Sequence, residues 1–407
     1  MWIVMSGRPL LQIPGPTNIP ERILRAMDRS IIDHRSPEFA ELTLAVRAGL
    51  RAVFGTTEGV PMLYPASGTG ATEAALVNVL APGDRVLVYS YGVFGAGLAN
   101  VARKFNFDVD EITLEYGDAV PAEDVERRLK ADSPTRPYRA VLIVHNETST
   151  GVCVDVAAIR RAMDAASHDA LLVVDTVSSL GSMDFEMDDW RVDIVICGSQ
   201  KGLMLPPGLG VLCISQRALA IAQNGGGSPR HFWDWAPILR ENRIGLFPYT
   251  PATLMLFGLR ESLKMLVDEE GLPGVYARHA RLGSAVRAAV RAWGLPIVCK
   301  DARYYSNSIT AVRMPEGVDS NELVKHAREQ YNLSLGGGIG QLNGIAIRLG
   351  HLGSLNELEV LGMIGGTELA FADLGIDVPV GSGLVAAQRS FLSRATESSK
   401  VLAAATA

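Results

Sequence analysis

The sequence predicts an α/β fold, in which a mostly parallel sheet is covered on both faces by helices and a smaller α+β domain follows. Three observations predict it. Short, continuously apolar runs recur between residues 60 and 215, the pattern of strands buried on both faces. Segments of helical period lie between several of them. After Gly294-Leu295-Pro296 the composition shifts, and strand-like and helix-like segments mix.

The elements follow in order. The first twenty residues include Pro9, Pro14, Pro16 and Pro20, so 1–25 is expected to be an extended arm and not a helix. Runs at 60–64, 85–89, 140–144, 171–174, 193–197 and 210–214 read as buried strands. Segments 70–80, 95–105, 122–131 and 156–166 read as helices between them. Residues 254–269 and 273–293 read as long helices, the second with an apolar stripe opposite its arginines. This assigns 26–290 to a large domain and 291–407 to a small C-terminal one. In the small domain, 308–313 and 344–349 read as strands, and 321–329 and 355–371 as helices. The polar stretch 390–407 reads as a fraying helix.

Composition excludes several classes. A chain of 407 residues can bury a large core, and 48% hydrophobic residues exclude a disordered one. The net charge is −6, with no long run of either sign, so neither nucleic acid nor an anionic membrane surface is expected as partner. Cys153, Cys197, Cys213 and Cys299 show no CxxC or metal-type spacing. Cys197 and Cys213 lie in apolar runs and read as core, and a reduced, cytoplasmic setting is expected. The start, MWIVMSGRPLLQIPGP, lacks the basic flank of a secretory signal, and its apolar stretch is short. No apolar stretch is long enough to span a bilayer.

In an open parallel sheet, ligands sit beyond the carboxyl ends of the strands, and four clusters lie there. Ser67-Gly68-Thr69-Gly70-Ala71 opens a helix and offers free N–H groups to an anion. Its plainer reading is a helix-entry turn with capping residues. His145-Asn146-Glu147-Thr148-Ser149-Thr150-Gly151 is dense in polar side chains, or is simply a polar turn closed by glycine. Asp175 ends a buried strand, where a carboxylate needs a partner. It reads as an N-cap or as the acid facing a protonated ring nitrogen; no neighbouring carboxylate or histidine supports a metal. Lys201, in Gly198-Ser199-Gln200-Lys201-Gly202, is flanked by Ile194-Val195-Ile196 and Leu203-Met204-Leu205. Desolvation there makes an amine a nucleophile or base. A phosphate cradle, an acid for a ring nitrogen and an imine-forming lysine are the parts that pyridoxal phosphate needs.

With these residues in view, the chain resembles the class V, fold-type I aminotransferases, in particular the serine–glyoxylate and alanine–glyoxylate group. The resemblance runs through PGPTNIP, DHRSPEF, SGTGATEAALVN, HNETSTGV, VDTVSSLGSMDF, GSQKGLMLPPGLG, FPYTPAT and IRLGHLG. It implies a large domain with a mostly parallel seven-stranded sheet, pyridoxal 5'-phosphate as cofactor, and transamination between a small amino acid, serine first, and glyoxylate. Alanine and aspartate are the alternative donors. By the resemblance Lys201 carries the cofactor and acts as base, Asp175 faces the ring nitrogen, and Gln200 contacts the ring hydroxyl. Ser67, Gly68, Thr69, Gly70 and Ala71 hold the phosphate, Phe94 stacks on the ring, and Val177 packs on its other face. Thr148 lies near ring and substrate, Arg348 binds the substrate carboxylate, and Gly15 lets the backbone approach the substrate. Tyr249 and Thr250 reach the phosphate of a neighbouring subunit, which implies a homodimer with shared sites, or a tetramer of such dimers.

Two positions depart from the pattern. Thr72 stands where serine–glyoxylate members commonly carry Trp, and Thr176 where relatives often have Gly. A second carboxylate on the substrate would need a cation; Arg35 is a candidate, although a structural ion pair is the better reading of it. A desulfurase would need a reactive cysteine on a loop. A nicotinamide dehydrogenase would need GxGxxG after the first strand, and neither feature is present. A non-catalytic protein of the same fold would bind the cofactor without reacting.

Overall fold

The computed structural model describes residues 7–405, with side chains described for 7–393. The very start of the secretory-signal reading and the tip of the fraying helix lie outside the described residues.

The apolar runs form one seven-stranded sheet. Its order is Val60–Tyr64, Gly210–Ile214, Ile194–Gly198, Leu171–Asp175, Tyr138–Val144, Arg85–Ser90, Asp108–Thr113. Gly210–Ile214 is antiparallel to both its neighbours, and every other pairing is parallel. Register aligns the strand ends: Val144 lies opposite Asp175, Asp175 opposite Ile196, and Gly198 opposite Gly210. The polar residues that follow each strand therefore gather along one edge.

Helix Gly68–Val79 starts at Ser67, whose hydroxyl accepts from the Gly70 N–H. It buries Ala71, Ala74, Ala75 and Leu76 completely. Small residues let this helix sit close to the sheet, and each fully buried leucine or valine stabilises by roughly 1.5–3 kcal/mol. Helix Val93–Lys104 ends in Arg103 and Lys104, which complement the negative end of its dipole.

Several elements were not anticipated. Asp108–Thr113 is a half-buried edge strand; its charges hid it, and charges are what keep an edge from pairing further. Pro37–Phe54 is an 18-residue helix with Ser36 as N-cap, Pro37 in the first turn and left-handed Gly55 at its end, all signals present in the sequence. The helix expected over 254–269 is α-helical only over Thr253–Leu263 and π-helical over Lys264–Glu269.

A second sheet has the order Leu10–Gln12, Leu333–Gly337, Ala346–Gly350, Ile309–Arg313. Over 7–20 the arm contains no helix, as its prolines require, and Leu10–Gln12 adds a parallel edge strand to this distant sheet. The end of the expected arm is instead helical, in Glu21–Met27, which starts directly after Pro20, where a proline no longer blocks a turn. Helix Leu272–Ala292 joins the two cores: Val275 packs with the large sheet, whereas Leu282, Val286 and Val290 pack with the small one. Among the described residues no helix is long and apolar enough to cross a membrane. Cys197 and Cys213 are buried at 1% and 0% exposure, as core residues should be.

Candidate active site

Strand order reverses between Arg85–Ser90 and Tyr138–Val144. The chain leaves the first of these toward the Asp108–Thr113 edge and the second toward Leu171–Asp175. Loops diverge at such a point and leave a crevice. A cavity of about 240 Å³ lies there. Its lining brings together Ser67, Gly68, Thr69, Phe94, Thr148, Asp175, Val177, Gln200 and Lys201. Residues from five strand ends thus meet in one place.

The first turn of helix Gly68–Val79 forms one wall. The amides of Gly68 and Thr69 lie at its start, where no intrahelical acceptor exists. Ser67 serves as the N-cap, so its plainer reading holds alongside its place in the cavity. The Gly70 N–H is taken by that cap at 3.3 Å. Ala71 turns to the core: its side chain is fully buried, and its N–H joins the helix ladder to Ser67 O. Neither Gly70 nor Ala71 lines the cavity. A Cβ on Gly68 would stand 2.8 Å from Val177, so glycine is what permits that close approach.

Asp175 and Lys201 face the cavity from adjacent elements. Asp175 accepts from the Val177 N–H at 2.8 Å. Burial pushes its carboxyl up to about 6, although Lys201 pulls the other way. Lys201 donates to Pro14 O. Burial lowers its ammonium to about 8, helped by the positive Arg348 and opposed by Asp175. Arg348 lies on strand Ala346–Gly350 of the small sheet. Its Nε donates to Gly337 O at 2.7 Å and its Nη1 to Thr148 O at 3.3 Å. Burial lowers Arg348 to about 10, opposed by Glu147.

The arm closes the site from a third side. Thr17 bonds Gln200 O through its N–H and Lys201 O through its hydroxyl. Gly15 has φ +99°, and a Cβ there would lie 2.5 Å from Lys201 Nζ. The approach of this backbone to the lysine therefore requires glycine.

Tyr249 and Thr250 are not brought into the cavity of their own chain. Tyr249 stacks on Phe232 with centroids 4.8 Å apart, and Thr250 is exposed. Arg35 is exposed and makes no ion pair among the described residues, so the structural pair expected for it is not formed. Thr72 lines the cavity and donates to Gly68 O at 3.1 Å. Thr176 is fully buried and donates to Ile196 O at 2.9 Å.

Asn146, which sequence reasoning did not single out from its cluster, also lines the cavity. Its Nδ2 donates to the hydroxyls of Ser178 and Ser308, both at 2.9 Å. Its Oδ1 and the Gln200 Oε1 are buried acceptors without a partner among the described residues. Only the hydroxyls that converge on Asn146 distinguish it, and these lie 32 and 162 residues away in sequence.

Known proteins resemble both sequence and fold. A family model described as Aminotransferase class-V matches residues 10–341. The serine–glyoxylate aminotransferase of Methylorubrum extorquens is 48% identical over 94% of this chain and 95% of its own. The L-aspartate–glyoxylate aminotransferase of Paracoccus denitrificans is 44% identical over 95% of this chain and 97% of its own. The crystal structure of pyridoxamine–pyruvate aminotransferase from Mesorhizobium loti superposes with a TM-score of 0.87 at 28% identity, covering 95% of this chain and 98% of that one.

Proposed function

Because the chain belongs to the class-V aminotransferase family, we propose that it moves the amino group of L-serine to glyoxylate in two half-reactions, giving hydroxypyruvate and glycine. The observation that carries this reading is the meeting of Lys201, Asp175 and an uncommitted helix N-terminus in one crevice. The residues fit pyridoxal phosphate. The orphaned Asn146 Oδ1 and Gln200 Oε1 call for a ligand that donates, which a ring hydroxyl would do. The Gly68 and Thr69 amides suit a phosphate. A protonated ring nitrogen beside Asp175 would offset the burial that pushes its carboxyl up.

When bound, the cofactor supplies a ring that withdraws electrons from the carbon bearing the amino group. The remaining work falls to this chain. The Asp175 carboxylate keeps the proton on the ring nitrogen. Phe94 and Val177, which both line the cavity, would pack against the ring and exclude water. Lys201 Nζ would hold the cofactor until the amino group of the donor takes its place, and the freed amine would then remove the proton from the α-carbon. Its lowered pKa leaves a useful fraction of free amine near neutrality. The planar guanidinium of Arg348 orients the substrate carboxylate, and the Thr148 hydroxyl adds a contact beside it.

Serine is favoured over aspartate by likeness: the serine–glyoxylate enzyme of Methylorubrum extorquens is 48% identical and the aspartate–glyoxylate enzyme of Paracoccus denitrificans 44%. The half-exposed aromatic pair of Tyr249 and Phe232, the latter 40% exposed, supports a homodimer in which Tyr249 and Thr250 complete the partner's phosphate site. The cytoplasm is the proposed compartment, supported by four unbridged cysteines. To test the donor, the visible spectrum of the purified holoprotein is recorded with serine, alanine or aspartate and no acceptor. Serine is expected to shift it; a larger shift with aspartate would reverse the choice of donor, and no shift with any of them would refute transamination.

A further inference from the structure

Glu147 is a buried carboxylate that the steps above leave unused. It is fully buried, in the short strand Asn146–Glu147 just beyond the switch point. Its Oε2 accepts from the backbone N–H groups of Phe94 and Gly95, both at 3.0 Å. Its Oε1 accepts from the Ser149 N–H at 3.1 Å and the Ser149 hydroxyl at 2.5 Å. The same hydroxyl accepts from the Val93 N–H at 3.1 Å. Burial raises the Glu147 pKa, and these donors oppose the rise.

Helix Val93–Lys104 has Gly92 at its N-cap and hence no capping side chain of its own. Glu147 and Ser149 supply the cap from another part of the chain. Gly92 is what admits them: a Cβ there would lie 2.3 Å from Glu147 Cδ and from Ser149 Oγ. A carboxylate at a helix N-terminus is held by charge-assisted hydrogen bonds and by the dipole. Two groups of the site depend on this carboxylate. Phe94, whose ring lines the cavity, has its amide bound to it. Thr148, the next residue in the chain, lends its carbonyl to Arg348 Nη1.

Resting on the transaminase reading, we propose that Glu147 is a positioning residue that holds the Phe94 ring and the Arg348 guanidinium in one fixed relation. It does not line the cavity itself. Its carboxylate locks the turn at residues 92–95 to the loop at 147–149, so that ring stacking and carboxylate binding are set together.

The test compares Glu147→Gln with the wild-type holoenzyme. Glutamine keeps the size but offers one acceptor oxygen, so one of the two donor pairs meets an NH2 group. The visible circular dichroism of the bound cofactor is expected to fall severalfold. The KM for the amino donor is expected to rise by about tenfold, with a smaller change in kcat. In a Phe94→Ala background the substitution should change the ellipticity no further. Wild-type ellipticity and KM in Glu147→Gln would overturn the proposal, as would an undiminished effect in the Phe94→Ala background. If Glu147→Gln does not fold, Ser149→Ala removes one donor to Oε1 and serves with the same readouts. A changed ellipticity in a protein that transaminates no amino donor would refute the transaminase reading and leave the positioning role standing. A wild-type chain that binds no pyridoxal phosphate would refute both.

Discussion

Replacing Gly15 by alanine probes how closely the N-terminal turn approaches the lysine. The new Cβ would lie 2.4 Å from Lys201 Cδ, 2.7 Å from Cε and 2.5 Å from Nζ. Relaxed contacts between such atoms need about 3.5–4.0 Å, so the deficit is roughly 1 Å. The φ of +99° adds strain of about 1–2 kcal/mol for a residue with a Cβ. Stiffening of the unfolded chain offsets about 0.4–1 kcal/mol of that. Relief comes most easily from the flexible lysine, since the backbone at Thr17 is tied to Gln200 and Lys201. A reactive nitrogen displaced by about 1 Å loses on the order of 10²-fold in rate. The variant should therefore fold, bind cofactor and show kcat for serine plus glyoxylate about 100-fold below wild type. Steady-state turnover and thermal unfolding measure the two parts. A kcat within about threefold of wild type, less than 1 kcal/mol of barrier, would refute the argument that this turn abuts the working lysine.

Other outcomes follow from the same geometry. Arg348→Lys should raise the KM for both amino acid and glyoxylate by about tenfold or more, because a point charge cannot replace the planar fork; initial-rate kinetics would show it, and unchanged KM values would remove Arg348 from the carboxylate site. Burial raises Asp175 to about 6 from the ordinary 3.8 of an aspartate. Between those pH values the folded cofactor-free protein holds a proton that the unfolded chain has lost. Its contribution to stability is fully present below pH 3.8 and is lost as pH rises through 6. Asp175→Asn should flatten that part of the stability–pH curve in denaturant titrations of the cofactor-free protein. In the cofactor-free protein Lys201, lowered to about 8, should reach half its limiting labelling rate with an amine-specific reagent near pH 8, well before surface lysines; a midpoint near 10.5 would contradict the desolvated setting.

Much of the fold was legible because it rests on local signals. Buried parallel strands are continuous apolar runs, so 60–64, 171–174 and 210–214 could be read with nearly their observed ends. Lys201 and Asp175 stood out because charge beside such runs is costly unless used. Arg348 carried no such signal: it alternates with Ile347 and Leu349 on a small strand, and only the resemblance marked it. Asp108–Thr113 was missed because an edge strand carries charges that mimic a loop.

By itself, the sequence determined which segments become strands and helices, since apolar period and capping residues act within a few residues of chain. It also determined the chemical types available at each strand end. Only the tertiary structure decided which ends meet. Strand order put Phe94 beside Glu147, the parallel pairing of Leu10–Gln12 with Leu333–Gly337 carried Gly15 onto Lys201, and the small sheet delivered Arg348 to Thr148 O. These contacts depend on burial and backbone pairing between residues far apart in sequence. A local pattern holds no record of them, because register and crossover are set by the summed packing of the whole core and not by any one segment.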